Sequence, residues 1–326
     1  MAVVDGDAGN NVLFGSLLAD TISGFGGDDW LLGSQGNDTI NGGQGKDTVW
    51  YTGAGTYFPG AVDAISAGVV INLGAGFARG GAGTDVLISI ERAVGSDFDD
   101  LIIGSTGKNY LGGAKGANTY DGGPSDDIID DSDIDATDGT IAYWSAIASV
   151  SIDLAAGTAT GGGGADTLLG VENAIGSKFS DFINGTSGNN SLDGGRRNDK
   201  IDGREGNDDI RGGSGRDLLT GGDGEDSFIF SSIADTVAGY QNDIITDLVQ
   251  GSDIIDLTGI DAIEGNKDDG FTFIGKATFS QVPGELRYGT YVSQTRIAGD
   301  IDGDGIADFQ IQLRGRFNLT IDDFLL

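Results

Sequence analysis

The sequence predicts an all-β solenoid in which short strands and turns recur at a fixed period. Three observations support this prediction. Sixty of the 326 residues are glycine, and so many glycines indicate backbone positions from which a side chain is excluded. Nine-residue units recur along the chain, and two columns keep their phase in every unit. A disordered Gly/Asp tract would not keep two columns in register.

The units form three blocks. They run from Gly6 to Trp50, from Gly95 to Asp130 and from Gly176 to Ile229. The sixth position of each unit is always Asp or Asn: Asn11, Asp20, Asp29, Asp38, Asp47, Asp100, Asn109, Asn118, Asp127, Asp181, Asn190, Asp199, Asp208, Asp217 and Asp226. The eighth is always large and apolar: Leu13, Ile22, Leu31, Ile40, Val49, Ile102, Leu111, Tyr120, Ile129, Ile183, Leu192, Ile201, Ile210, Leu219 and Phe228.

Each unit is interpreted as a turn followed by a short strand, with the eighth residue pointing inward. Two units complete one coil, so turns on the same side are two units apart. This stacking predicts four close carboxylate pairs: Asp29 with Asp47, Asp20 with Asp38, Asp199 with Asp217, and Asp208 with Asp226. Stacked carboxylates repel unless a cation lies between them. Calcium suits such a place because it takes six to eight oxygen ligands, including backbone carbonyls.

Net charge and amino-acid composition disfavour or exclude several classes of partner and of catalytic or metal site. The chain has 18 Lys and Arg against 51 Asp and Glu, a formal net charge of −33. This charge disfavours nucleic acid and anionic membranes as partners and predicts that cations neutralise the fold. Histidine and cysteine are both absent, which excludes disulfides, zinc sites of the usual ligand types, Ser-His-Asp triads and Cys-His dyads.

Two spacer segments separate the blocks. Residues 70–113 and 151–194 align without gaps at an offset of nine units, and each copy begins with an alternating strand. Because the offset is a whole number of units, each insert is predicted to continue the stack with irregular loops. The aromatic pairs Trp50-Tyr51 and Tyr143-Trp144 open the two copies. We favour a packing role that closes a coil over an alternative role as sugar-stacking platforms.

The nine-residue units resemble the GGxGxDxUx repeat of repeats-in-toxin (RTX, hemolysin-type) proteins. Residues 243–262 and 300–315 resemble parts of the closing domain of serralysin-type metalloproteases. The resemblance implies a right-handed parallel β-roll, or β-helix solenoid, with a C-terminal β-rich capping domain and several Ca²⁺ ions. The predicted organisation is 1–50 β-roll block I, 51–94 spacer module I, 95–130 degenerate block II, 131–175 spacer module II, 176–229 block III and 230–326 cap and secretion-signal domain.

The aspartate column supplies the predicted carboxylate ligands, and the family pattern implies carbonyl donors beside them. The carboxylates are Asp20, Asp29, Asp38, Asp47, Asp100, Asp127, Asp181, Asp199, Asp208, Asp217 and Asp226. The carbonyl donors are Gly27, Gly36, Gly42, Gly45, Gly206, Gly212, Gly215, Gly221 and Gly224, each within one residue. Asn109 and Asn118 lack the charge, so weak or missing sites are predicted in block II.

A separate acidic loop offers a weaker candidate. Asp300, Asp302 and Asp304 match the opening of an EF-hand loop, but Ile311 stands where that loop needs a bidentate Glu. An acidic hairpin turn is the favoured interpretation, with a metal site as the alternative.

The chain ends are typical of a type I-secreted protein. Residues 1–7 lack the basic region and apolar core of an N-terminal secretory signal, and no apolar run is long enough to cross a bilayer. The last residues, Asp323 to Leu326, resemble the uncleaved signal read by type I exporters. We therefore expect export of an unfolded chain and folding on Ca²⁺ outside the cell.

Two functions remain open at this stage. The first is a non-catalytic extracellular adhesin, matrix or surface component, with extracellular polysaccharide or a cell surface as its partner. The alternative is the C-terminal carrier and secretion region of a secreted hydrolase, lyase or polysaccharide epimerase. No H-E-x-x-H or G-x-S-x-G motif occurs. Chemistry by carboxylates alone is not excluded, since glycosidases need only two acids.

Overall fold

The computed structural model describes residues 1–52, 65–132, 138–239, 242–263 and 269–326. Across these ranges the chain is almost entirely strand and turn, with one short 3-10 helix at Ile321–Asp323. No described helix is long and apolar enough to cross a bilayer. The chain forms two compact units: Met1–Ile147 with Ala156–Asn173, and Ala148–Ala155 with Ala174–Leu326. The six-part division of the sequence stays a prediction.

The first unit contains 17 strands and lacks a helix in its described part. They are β1 (Val3–Asp5), β2 (Val12–Phe14), β3 (Thr21–Gly26), β4 (Trp30–Leu32), β5 (Thr39–Gln44), β6 (Thr48–Trp50), β7 (Val69–Asn72), β8 (Phe77–Gly80), β9 (Gly83–Ile88), β10 (Arg92–Val94), β11 (Leu101–Ile103), β12 (Tyr110–Gly112), β13 (Thr119–Asp121), β14 (Ile128–Asp130), β15 (Thr140–Ala142), β17 (Thr158–Gly161) and β18 (Gly164–Leu169).

The second unit contains the remaining strands. They are β16 (Val150–Asp153), β19 (Asn173–Ile175), β20 (Phe182–Asn184), β21 (Ser191–Asp193), β22 (Lys200–Glu205), β23 (Asp209–Arg211), β24 (Leu218–Asp223), β25 (Ser227–Ile229), β26 (Ile244–Ile245), β27 (Ile254–Asp256), β28 (Thr272–Phe273), β29 (Glu285–Thr290), β30 (Gln294–Asp300), β31 (Phe309–Arg314) and β32 (Phe324–Leu325).

Repeat strands alternate between two parallel sheets, as a two-unit coil requires. In the first unit, β1, β3 and β5 lie side by side, while β2, β4 and β6 form the facing ladder. The register pairs Ile22 with Ile40 and Leu13 with Leu31. In the second unit, β20–β22–β24 and β21–β23–β25 repeat this arrangement. The predicted all-β parallel β-roll is confirmed.

The spacers continue the stack through antiparallel hairpins. Strand β9 pairs parallel with β5, β7 pairs parallel with β11, and β8 joins β7 to β9 by antiparallel pairing. In the second spacer, β18 pairs parallel with β14 and antiparallel with β17. Each insert therefore widens a sheet by a local meander without breaking the winding.

The core follows the eighth column. Its members from Ile22 to Phe228 are buried, and most have no exposed surface. Only Leu13, in the first coil, is partly exposed. Burying one large apolar side chain per short strand stabilises each nine-residue unit by about 1.5–3 kcal/mol relative to exposure. These side chains fix the position of the turns that carry the aspartates.

The winding continues past the end of the sequence repeat. Strands β26 and β27 pair parallel with β24 and β25, although they come from the region after residue 229. Strands β29, β30 and β31 then form an antiparallel sheet, and β31 pairs parallel with β26. Strand β32 closes the other ladder beside β27. The capping domain thus begins with an irregular extra coil.

Candidate metal centres

The sixth-position aspartates point into the stack. All eleven predicted carboxylate ligands are at most 5% exposed. Their position follows from the strand that comes next. The apolar residue two positions after each aspartate must enter the core, so the turn before it is held against the stack. Eleven acidic side chains removed from water require compensation by hydrogen bonds or cations.

One oxygen of each carboxylate in the predicted pairs bonds to the adjoining coil. The backbone N–H of Asp20 donates to Asp38 Oδ1 at 2.7 Å, and that of Asp29 donates to Asp47 Oδ1 at 2.9 Å. In the second unit the same bond joins Asp199 to Asp217 at 2.7 Å and Asp208 to Asp226 at 3.0 Å. The structure therefore brings the two members of each predicted pair together through a hydrogen bond from backbone to carboxylate, here called a ladder bond.

The other oxygen divides the eleven aspartates into two groups. In eight of them Oδ2 is buried and has no hydrogen-bond partner among the described residues. These eight, here called the open turns, are Asp29, Asp38, Asp47, Asp127, Asp199, Asp208, Asp217 and Asp226. A buried carboxylate oxygen without a partner costs free energy that a bound cation would recover.

Asp20, Asp100 and Asp181 form the second group, here called the capped turns. In each, a serine at the second position of the same unit donates both its N–H and its hydroxyl to the carboxylate. Ser177 N lies 2.6 Å from Asp181 Oδ2, and Ser16 Oγ lies 2.7 Å from Asp20 Oδ2. Since both carboxylate oxygens already accept hydrogen bonds, these three predicted ligands have less need of a metal.

The backbone at the second position separates the groups. In all eight open turns this residue has a left-handed φ, for example +70° at Ser34 and +92° at Gly195. Ser16, Ser96 and Ser177 of the capped turns are not among the left-handed residues. The N–H groups of these three serines donate to the carboxylate, whereas no described N–H donates to Oδ2 of the open aspartates.

Carbonyl oxygens converge on the open carboxylates. A Cβ added at Gly194 would lie 2.6 Å from Asp199 Oδ2 and 2.6 Å from the Gly212 carbonyl oxygen of the adjoining coil. Added Cβ atoms at Gly24 and Gly203 would meet the carbonyls of Gly42 and Gly221, both at 2.6 Å, together with Asp29 and Asp208 Oδ2. Three predicted donors, Gly42, Gly212 and Gly221, thus lie beside a carboxylate in an oxygen-lined space.

The six remaining predicted donors occupy the fourth position. Gly27, Gly36, Gly45, Gly206, Gly215 and Gly224 all have left-handed φ values between +95° and +158°. They stack directly: added Cβ atoms at Gly45 and Gly224 would strike the carbonyl oxygens of Gly27 and Gly206. Only glycine permits this approach. The carbonyl of Gly224 accepts a hydrogen bond of 2.9 Å from Ser252 Oγ.

Burial perturbs the open carboxylates strongly. It raises the pKa of Asp199 to about 9, and the nearby carboxylates of Asp217 and Asp181 add to the effect. The pKa of Asp217 and that of Asp127 rise to about 7, again chiefly through burial. In Asp38 the pKa rises to about 6. Raised pKa values mean that the ionised form lacks a counter-charge, which a divalent cation supplies.

In the third unit of block II, the side-chain amide of Asn118 occupies the position that an aspartate carboxylate takes in other units. Asn118 Nδ2 donates to the carbonyls of Lys115 and Gly116 at 3.3 and 3.2 Å and to Asp131 Oδ1 at 3.0 Å. Tyr120 also donates its hydroxyl to Asp131. One nitrogen thus contacts two carbonyls and a carboxylate, oxygens of the kind that a cation would collect. This geometry supports the prediction of a missing site at Asn118.

The spacers close the ladder with tyrosines. Asp85 Oδ1 accepts the N–H of Asp38 at 2.9 Å, and its Oδ2 accepts the Tyr51 hydroxyl at 2.7 Å. The second spacer repeats this with Asp166, which accepts the N–H of Asp127 at 2.9 Å and the Tyr143 hydroxyl at 2.8 Å. Both tyrosines are buried, which supports a packing role for them. Trp144, by contrast, is 49% exposed.

Sequence reasoning missed four ladder aspartates: Asp85, Asp166, Asp243 and Asp253, the last of which accepts the N–H of Asp226 with Oδ1 at 3.2 Å. Asp243 Oδ1 accepts the N–H of Asp217 at 2.7 Å, while its buried Oδ2 has no partner among the described residues. Burial raises its pKa to about 9, and Asp217 contributes. Its 26-residue separation from Asp217 departs from the repeat. The only available signal was the apolar pair Ile244-Ile245 directly after it.

The acidic loop joins β30 to β31. One carboxylate oxygen from each of Asp300, Asp302 and Asp304 lies within 4.8 Å of the others. Asp300 is buried, and its oxygens accept the N–H groups of Gly303 and Gly305 at 2.8 and 2.9 Å. Asp302 and Asp304 are exposed. The antiparallel hairpin of β30 and β31 is present, while the choice between an acidic turn and a metal site stays a prediction.

Two protein families match the chain. The model of the RTX calcium-binding nonapeptide repeat matches residues 3–22 and 23–53. The model described as Peptidase M10 serralysin C terminal matches residues 58–326, most of the chain. The chain belongs to the serralysin C-terminal family. This family member carries calcium-binding RTX repeats of the type I-secreted kind, as its sequence resemblance predicted.

Solved structures similar to this serralysin C-terminal family member come from a mannuronan C5-epimerase and an extracellular lipase. The AlgE6R2 subunit of the Azotobacter vinelandii mannuronan C5-epimerase is 28% identical, with 47% of this chain and 91% of that chain covered and a TM-score of 0.37. The AlgE6R3 subunit is 25% identical over 45% and 79%, with a TM-score of 0.33. Serratia marcescens extracellular lipase LipA is 18% identical over 72% and 40%, with a TM-score of 0.23. A search of curated proteins gave no match.

Proposed function

We propose that this chain is exported unfolded and folds outside the cell when Ca²⁺ enters the open turns, where it serves as a non-catalytic adhesin, matrix or surface component. The observation that carries the proposal is the set of eight buried, unpartnered carboxylate oxygens. In each site the open aspartate and the first-position carbonyl of the adjoining coil would supply ligands, with fourth-position carbonyls completing the set. Asp243 would extend the series beyond the repeats.

Calcium availability sets the direction of folding. A ligand that binds only the folded state stabilises it by RT ln(1 + [L]/Kd), about 2.7 kcal/mol per independent site at a hundredfold excess over Kd. Without such a ligand, the buried carboxylates and the net charge of −33 oppose the compact state. The chain would therefore stay unfolded and exportable where Ca²⁺ is scarce. The terminal residues 323–326 would serve as the uncleaved export signal.

Far-UV circular dichroism tests the coupling. We expect β structure at millimolar Ca²⁺ and its loss on adding EDTA, with Mg²⁺ as the matched divalent control. Magnesium should fold the chain poorly because it demands a tight octahedral site and keeps its waters. Equal β content in Ca²⁺ and in EDTA would refute the proposal.

A carrier role is the second candidate, favoured by the family description, which names the C terminus of a peptidase. In that case the calcium-dependent stack would assist the export and folding of a catalytic module encoded upstream. Sequencing the gene on the 5′ side, together with activity screens on polysaccharides and casein, separates the two. An upstream hydrolase, lyase or epimerase module would establish the carrier role.

A further inference from the structure

Five cations lie together on one edge of block III, although the chain as a whole is strongly acidic. Lys178, Arg196, Arg197, Lys200 and Arg216 are exposed and belong to three successive same-side units, 176–184, 194–202 and 212–220. We call them the basic edge. The acidic residues of these units are the buried ladder aspartates and Asp202 alone. The edge is therefore a local positive strip.

Backbone pairing fixes the strip. Lys200 pairs with Phe182 on one side and Leu218 on the other. The N–H of Arg197 donates to the Ser214 carbonyl at 2.5 Å, and the N–H of Arg216 donates to Asn198 Oδ1 at 3.1 Å. Neighbouring strands of a sheet lie about 4.8 Å apart. Lys178 and Arg196 thus share the third position of adjoining coils, and the other three cations occupy the fourth, fifth and seventh positions of these units.

The basic edge lacks internal neutralisation. None of its five cations forms an ion pair within the part of the chain that the structure describes. The block III arginines outside the edge behave differently. Arg204 contacts Asp153 at 2.8 Å, and Arg211 lies 3.9 Å from Asp193. In a chain with 51 acidic residues, unpaired neighbouring cations are left available for an external anion.

Arg197 holds a backbone conformation that its neighbours reserve for glycine. Its φ is +74°, at the fourth position where Gly206, Gly215 and Gly224 stand in the following units. A left-handed non-glycine residue costs of order 1 kcal/mol or more, and such strain concentrates at functional sites. Here it places the guanidinium carbon 5.6 Å from the centre of the Phe179 ring, which Lys178 also approaches at 5.6 Å.

We propose that the basic edge binds an acidic polysaccharide, whose carboxylate or sulfate groups pair with the cations while sugar rings contact Phe182, which is 56% exposed. A linear polyanion fits because the cations are distributed over three successive coils of the stack. A broad anionic surface, such as a membrane, would also meet the rest of the −33 chain and be repelled. The inference deepens the proposed matrix role and rests on the calcium-folded state.

The test measures binding of polygalacturonate fragments, too short to gel, at a fixed Ca²⁺ concentration at which circular dichroism reports folding. Arg197→Gly removes an edge cation and relieves its strained φ. Arg204→Gly is the matched control, because Arg204 also has a left-handed φ, +79°, but lies outside the edge. We expect Arg197→Gly to weaken binding about tenfold, as loss of a charge-assisted bond would, and Arg204→Gly to leave it within about twofold.

Other outcomes overturn the inference. Equal binding by wild type and Arg197→Gly would indicate calcium bridges between acidic groups instead of the edge. Equal binding of neutral dextran, tighter binding of phosphatidylserine vesicles, or no binding by the folded wild type would also contradict it. A chain that fails to fold in Ca²⁺ would instead contradict the proposed function, so the two failures are distinguishable.

Discussion

Blocks II and III have the same winding but fill their turns differently. In block III four of six sixth-position residues are open aspartates, whereas in block II only Asp127 is open. Asn118 occupies its own turn with an amide nitrogen, while Asp100 is capped by Ser96. Both blocks nevertheless keep the same strand register. The coil is therefore compatible with an open aspartate, a serine-capped aspartate or an asparagine at the sixth position. Of these three, the open aspartate is the one whose buried Oδ2 has no hydrogen-bond partner among the described residues.

The largest expected effect comes from neutralising open turns. Replacing Asp199 and Asp217 by Asn should raise the Ca²⁺ concentration needed for folding by at least about tenfold, because two sites lose their charged ligands. The calcium midpoint from circular dichroism measures this.

The matched control makes the same change in capped turns. Asp100→Asn with Asp181→Asn should shift the midpoint by less than about twofold, since serines already satisfy those oxygens. Similar shifts in the two double variants would mean that the distinction between open and capped turns has no bearing on metal binding.

Acidification should stabilise the metal-free folded state, because protonation removes the charge of the buried carboxylates. The pKa values of Asp38, Asp217 and Asp199 rise to about 6, 7 and 9 in the folded chain, against about 3.9 when unfolded. Between these limits the folded state binds more protons, so metal-free stability falls as pH rises from about 4 to 9. Circular dichroism in EDTA should therefore show more β structure near pH 4.5 than at pH 8.

Calcium-loaded protein should respond in the opposite direction, because protons compete with Ca²⁺ for the same oxygens. A metal-free chain whose β content increases with pH between 5 and 8 would contradict the assignment of the buried carboxylates.

Two substitutions should give the Asn118 turn of block II a calcium site like those predicted in block III. Asn118→Asp with Tyr120→Phe removes the amide nitrogen and the hydroxyl that satisfy Asp131 and neighbouring carbonyls. We expect about one additional bound Ca²⁺ per chain, counted by native mass spectrometry. Tyr120→Phe alone is the control and should leave the count unchanged, since Asn118 still fills the turn.

The smallest effect is expected at the spacer tyrosines. Tyr143→Phe removes the hydroxyl from Asp166 and should destabilise the folded chain by about 1–3 kcal/mol, the cost of an unsatisfied buried group. Urea unfolding at constant Ca²⁺ measures it. Tyr291→Phe is the control because Tyr291 is 52% exposed, and it should change stability by less than about 0.5 kcal/mol.

The repeat columns were predictable because each column has a single physical task. The inward strand residue and the turn carboxylate recur at fixed spacing, so periodicity alone identified both and the four stacked pairs. The backbone of the second position was not predictable. Ser16 and Ser34 are the same residue type at the same position, yet only Ser34 has a left-handed φ. Residue type at that position therefore does not determine its backbone conformation.

Ladder members outside the period were also beyond sequence reasoning. Tyr51 meets Asp85 across 34 residues, and Asp243 follows Asp217 by 26 instead of 18. Spacing arguments find only partners at the repeat distance. The offset between the two spacers preserved coil phase, but it gave no indication that each copy would contribute both a carboxylate and the hydroxyl that satisfies it.

The ladder bonds also determine how steeply the chain responds to its ion. Oδ1 of each open aspartate accepts a backbone N–H from the preceding coil. Folding of one coil therefore favours folding of the coil beside it. Stacked repeats of this kind follow nearest-neighbour cooperativity. The fraction of folded protein should therefore rise steeply within a narrow range of Ca²⁺ concentration. Below that range the chain should stay unfolded and bind little Ca²⁺.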